Sequence, residues 1–137
     1  MFFRLLYHIN WATKMREPTI EEEIEQSLYD YLRGKSLELG GMVLAIGGTH
    51  NHVHLVLSIP PTLAVSDFVR RLKGASSHWV NHKLKPGGTF AWQSGYAAFT
   101  LADSLLERIK TYVENQKLHH ANGRLNKALE RNGDGVE

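Results

Sequence analysis

The sequence predicts an α+β domain on a ferredoxin-like plan: a split β-α-β antiparallel sheet with helices on one face, plus one additional C-terminal helix. Three observations predict it. Strand-like and helix-like periodicities alternate in the order strand, helix, strand, strand, helix, strand, helix. Two central apolar runs, bounded by glycines and prolines, have the form of a hairpin. A chain of 137 residues can bury one sizeable core. One domain over residues 1–121 is therefore expected, with residues 122–137 as a weakly ordered or helical tail.

Taken in order, Phe3 to Trp11 is rich in aromatic and aliphatic residues and reads as a strand, followed by the basic turn Thr13-Lys14-Met15-Arg16. Pro18-Thr19 opens a helix, with Thr19 and Glu22 spaced as a capping box and Ile20, Ile24, Leu28 and Tyr31 at helical spacing up to Gly34. Met42 to Ile46 and His52 to Ile59 form the hairpin, separated by Gly47-Gly48-Thr49-His50-Asn51. Pro60-Pro61 stops it. A second helix follows from about Ser66 to His82 with the stripe Phe68, Leu72, Ala75 and Trp79. An extended segment, Phe90 to Thr100, leads to a last helix near Asp103, where Ser104 and Glu107 make a second capping box. Order is expected to fade beyond His120.

Composition narrows the function. The absence of cysteine removes disulfides, thiolate zinc sites and thiol nucleophiles, and fits a reducing compartment. The longest apolar stretch is too short to cross a bilayer, and the N-terminus has no signal-peptide pattern, so a soluble, cytoplasmic protein is expected. The net charge of +2 conceals segregation: Glu21, Glu22, Glu23 and Glu25 bunch early, and Arg70, Arg71, Lys73, Lys83 and Lys85 cluster later. That pattern allows a basic face for phosphates and equally suits solvated helix faces.

In His52-Val53-His54-Leu55-Val56-Leu57 the side chains alternate, so both imidazoles leave the strand on the same side. Such a pair can converge on one metal ion, or can simply be polar residues on a solvated face. In the last helix Leu105, Ile109, Tyr112 and Gln116 fall in one stripe. A glutamine is unexpected there, because a buried amide needs partners for both its oxygen and its nitrogen. Tyr112 by itself could be a core tyrosine with its hydroxyl at the rim. His78 and His82 share a helix face and read as surface residues, and His119 and His120 as helix-end residues favoured by the dipole. The string His50-Asn51-His52 spells the name of a nuclease motif whose residues are not consecutive, and it is discounted.

Together, His52-Val53-His54-Leu55, Lys73-Gly74, Trp92-Gln93-Ser94-Gly95-Tyr96 and Tyr112-Val113-Glu114-Asn115-Gln116 resemble the tyrosine HUH transposases of small insertion sequences. The opening His8-Ile9-Asn10-Trp11-Ala12-Thr13-Lys14 is similar to that family's first strand, and the resemblance runs from roughly residue 5 to 120. It implies that His52 and His54 are metal ligands, Gln116 the third protein ligand, and Tyr112 the nucleophile on the added helix. It further implies a divalent ion, Mg²⁺ or Mn²⁺, and cleavage and rejoining of single-stranded DNA through a 5′-phosphotyrosine. A homodimer acting on hairpins at the ends of a mobile element is also implied, with the tyrosine serving its own or its partner's histidines. Members often carry aspartate before the first histidine, where this chain has Asn51, a difference that bears on second-sphere orientation.

Phosphate contacts are expected from Lys14, Arg16, Arg70, Arg71, Lys73, Lys83 and Lys85, with Trp92 or Tyr96 available to stack on bases. Trp92 suits a core position as well, and Trp79 suits one better. Two other functions are compatible with the fold: a regulatory DNA-binding protein that has lost chemistry, and a metal phosphodiesterase that uses water.

Overall fold

A computed structural model of the protein describes residues 4–122 and 130. Strands β1 (Leu6–Ala12), β2 (Met42–Thr49), β3 (His52–Ser58) and β4 (Ala97–Thr100) form one sheet in the order β2-β3-β1-β4, every neighbouring pair antiparallel. Helices α1 (Glu22–Glu38) and α2 (Val65–Trp79) cover one face. On that side Ile9, Trp11, Val53, Leu55 and Leu57 pack against Leu28, Leu32, Phe68 and Leu72. Each such side chain contributes about 1.5–3 kcal/mol by leaving water. Helices α3 (Leu106–Glu114) and α4 (Gln116–Asn122) follow β4. Val113 and Leu106 of α3 pack with Leu6, Ala45 and Val56 on the opposite face. The expected ferredoxin-like order is present, and the added helix has its own face. The expected tail lies outside the described residues apart from Asn122 and Glu130.

Several local expectations are corrected. Thr19 does not cap α1, which begins at Glu22 without a side-chain cap. The Ile20 N–H instead donates to the His50 carbonyl, and the Thr19 hydroxyl turns back to the Glu17 carbonyl. The helix also runs through Gly34 to Glu38 and ends before Gly40, whose φ of +89° suits glycine after a helix C-terminus. Ser104 sits inside a 3₁₀ turn, Asp103–Leu105, so it does not cap α3. Leu105 is exposed, and the neighbouring Leu106 takes the buried position.

Gly47, Gly48 and Thr49 belong to β2, so the hairpin turn is His50-Asn51 alone. The reason is close approach. A Cβ on Gly47 would lie 2.0 Å from the Val113 carbonyl oxygen, so only glycine lets the end of α3 rest on the sheet there. Gly47 pairs with His54, which brings the end of α3 over the histidine strand.

Candidate metal and nucleophile site

The pairing register sets the floor of the site. Ala12 faces His52, Asn10 faces His54 and His8 faces Val56, so His8, His52 and His54 leave the sheet on the α3 side. All three imidazoles are buried, which removes the solvated-face reading.

Each candidate ligand is oriented through its other nitrogen. His52 Nδ1 lies 2.8 Å from Asn51 Oδ1 and 2.9 Å from Thr49 Oγ1. His54 Nδ1 lies 2.8 Å from His8 Nε2, and those two rings stack with centroids 5.0 Å apart. Asn51 thus supplies an oxygen to the remote nitrogen of His52. Such contacts through the remote nitrogen fix ring orientation and tautomer at metal-binding histidines.

The helices complete the arrangement. Asn115, with φ −105° and ψ 27°, separates α3 from α4, yet Gln116 Nε2 still reaches the Tyr112 carbonyl at 3.5 Å. Gln116 is buried, with Oε1 3.3 Å from His52 Nε2 and 3.1 Å from His120 Nε2. The Tyr112 ring meets His54 edge-on with centroids 6.4 Å apart and stacks on His119 at 4.6 Å. All these groups come from one chain. His119 and His120, read from sequence as helix-end residues, therefore stand at the site.

Glu130 had no signal in the sequence beyond being an acid near the C-terminus. Its Oε1 lies 3.1 Å from His54 Nε2, 3.5 Å from His52 Nε2 and 3.3 Å from His120 Nε2. Its Oε2 lies 3.2 Å from Gln116 Nε2 and accepts the Tyr112 hydroxyl. Burial alone would raise this carboxyl, but the contacts with His52 and His54 outweigh it and hold Glu130 well below the usual carboxylate range. Burial, reinforced by His54, depresses His8 to about 3, so it is neutral at physiological pH. Burial likewise lowers His54 and His120.

One ligand atom each from His52, His54 and Glu130 lies within 4.8 Å of the others. His52 Nε2 also lies 3.3 Å from the Gln116 amide oxygen, which adds an oxygen to the group. That donor set fits a divalent cation.

The expected DNA contacts divide. Lys14, Arg16, Arg70, Arg71, Lys83 and Lys85 are exposed, with Arg70 paired to Asp67 and Lys85 to Glu21. Arg16 has a left-handed backbone, φ 54°, next to Met15 at 57°, and its charge bears on His120. Lys73 and Trp92 are corrected. Lys73 is buried and donates to the carbonyls of Gln93, Ser94 and Gly95 at 2.6, 3.2 and 3.0 Å. Trp92 is buried edge-on against Trp11 and Phe90, with Nε1 donating to Ser76. Gln93 pairs with Ala12 through both backbone and side chain. The Lys73-Gly74 and Trp92-to-Tyr96 motifs are thus two halves of one clamp at the end of β1. Outside it lies a cleft of about 460 Å³ lined by Ser66, Arg70, Gly74, Ser77 and Tyr96 among others. His78 and His82 stack on the surface, as expected.

A two-helix-covered antiparallel sheet, with paired histidines beneath a tyrosine helix, is the architecture of the single-tyrosine transposases. The family model described as "Transposase IS200 like" matches residues 1–116, and this chain belongs to that family. It is 33% identical over 119 residues to the ISDra2 transposase TnpA of Deinococcus radiodurans, covering 83% of this chain and 85% of the relative. It is 29% identical over 115 residues to the transposase of insertion sequence element IS200 of Salmonella typhimurium, covering 80% and 75%. A crystal structure of a transposase from Deinococcus radiodurans superposes with a TM-score of 0.64 at 30% identity, over 85% of this chain and 93% of that one. A REP-associated tyrosine transposase bound to a REP hairpin shares the fold, with a TM-score of 0.65 at 13% identity over 88% and 73%. Among the described residues no helix is long and apolar enough to cross a membrane.

Proposed function

We propose that this transposase cuts and rejoins single-stranded DNA through a covalent bond to Tyr112, with His52, His54 and Gln116 holding a divalent cation, Mg²⁺ or Mn²⁺. The observation that carries it is proximity within one chain: the Tyr112 ring meets His54 edge-on at 6.4 Å between centroids, and the buried Gln116 Oε1 lies 3.3 Å from His52 Nε2. When bound, the cation supplies polarisation of the scissile phosphate.

The remaining work falls to side chains. Tyr112 Oη forms a bond to phosphorus, the bond from phosphorus to the 3′-oxygen breaks, and that oxygen leaves as a 3′-hydroxyl after gaining a proton. The 5′-phosphate stays on the tyrosine, so the phosphodiester energy is conserved for rejoining and no nucleotide hydrolysis is required. A phenol of ordinary acidity is protonated at neutral pH, so its proton must be drawn off as it attacks.

Single-stranded DNA, folded as hairpins at the ends of a mobile element, is the substrate that suits this chemistry. Lys14, Arg16, Arg70, Arg71, Lys83 and Lys85 meet its phosphates, and Tyr96, which lines the 460 Å³ cleft, stacks on an unpaired base. The protein works in the cytoplasm as a homodimer, with Tyr112 serving either the histidines of its own chain or those of its partner.

Incubation with end-labelled hairpin DNA and Mn²⁺ should yield a denaturant-resistant protein–DNA adduct. Tyr112→Phe should remove the adduct and cleavage together, and His54→Ala should remove the metal dependence. Cleavage that persists undiminished in Tyr112→Phe would point to attack by water and contradict the proposal.

A further inference from the structure

The two imidazoles and the amide would leave the double charge of a cation uncompensated, because all three donors are neutral. A carboxylate lies among them. Glu130 Oε1 is 3.1 Å from His54 Nε2 and 3.5 Å from His52 Nε2. Atoms that bind one ion at about 2.0–2.2 Å sit roughly 3 Å from one another, which is close to these separations. Chemistry agrees with geometry, since carboxylate oxygen suits Mg²⁺ and Mn²⁺ better than imidazole does. The other oxygen of the same group accepts the Tyr112 hydroxyl and lies 3.2 Å from Gln116 Nε2.

We propose that Glu130 is a further ligand of the cation, binding through Oε1 while Oε2 positions the Tyr112 hydroxyl beside it. The inference rests on the reading of His52 and His54 as metal ligands and adds a carboxylate arm from beyond α4. One side chain then ties the nucleophile to the metal, so that filling the site and placing the phenol become a single event. It also offsets one unit of the cation's charge, which strengthens the hold on a hard ion and leaves the remainder for the phosphate.

The test is titration of Mn²⁺ into the metal-free full-length protein, followed by calorimetry and by the electron paramagnetic resonance of the ion. Glu130→Gln, which keeps the shape and removes the charge, should weaken Mn²⁺ binding at least tenfold and alter the bound-ion spectrum. Glu130→Asp, with a shorter arm, should retain part of the affinity. Unchanged or tighter binding by Glu130→Gln would overturn the inference, the tighter result meaning that the carboxylate competes with the ion instead of binding it. His54→Ala separates the two readings. If it loses Mn²⁺ while Glu130→Gln does not, only the Glu130 role fails; if it keeps Mn²⁺, the histidine site fails and this inference with it. Melting curves of each variant without metal establish that the fold is intact.

Discussion

His54 is held from three directions: by its strand, by the His8 ring behind it and by the edge contact with Tyr112 in front. His8 has a folded-state pKa near 3 against 6.5 for a free imidazole, caused first by burial and then by His54. The sign follows directly. Below pH 6.5 the unfolded chain takes up a proton that the folded chain refuses, so His8 costs no stability above that pH and a growing amount as pH falls toward 3. The slope reaches about 1.4 kcal/mol per pH unit. Metal-free protein should therefore lose melting temperature steeply below pH 6.5, and His8→Phe should flatten that dependence; identical pH curves for the two proteins would exclude this role. The His-x-His pair and the odd amide at Gln116 were legible in the sequence, since alternation and helical spacing place them. His8, His120 and Glu130 were not, because a single histidine or acid carries no periodicity and its role arises only from which strands and helices meet.

At the scale of elements, the placement of α3 depends on Gly47. Its missing side chain admits the Val113 carbonyl, and Tyr112 is the preceding residue. Gly47→Ala should lower stability by about 1–3 kcal/mol in thermal melts and increase amide exchange in α3 more than in α1. Uniform protection of both helices would show that the close contact is dispensable. The order of strands and helices could be read from periodicity, but helix starts could not: Thr19 does not cap because the hairpin turn engages the neighbouring Ile20 N–H, and Ser104 does not because it lies within a 3₁₀ turn. The glycine pair was read as a loop for the same reason, since only the arrival of α3 explains glycine inside a strand. Lys73 is the other case, a basic residue among basic residues that the fold spends on three carbonyls. Lys73→Met should cost on the order of 3 kcal/mol of stability, measured by denaturant unfolding, and leave the salt dependence of DNA binding unchanged. Arg16→Ala should instead reduce the salt slope by about 0.7 for a single-stranded ligand. A salt slope that changes in Lys73→Met would return that residue to the DNA surface.

Across the whole molecule, the sheet works as a partition. The α1 and α2 face carries the larger apolar cluster, and the α3 face carries a small cluster beside a buried group of imidazoles. Burying that many polar groups weakens a core, and the cost is offset where they hydrogen-bond one another, as His8 with His54 and Gln116 with His52 do. The larger apolar cluster thus lies on the face opposite the imidazoles. The account stands on the tyrosine over the paired histidines being the group that takes the DNA. Mass spectrometry of protein digested after reaction with hairpin DNA and Mn²⁺ reads this directly. The account predicts a nucleotide phosphate attached to the peptide containing Tyr112, and a nucleotide on any other residue, or cleaved DNA with no modified peptide, would contradict it.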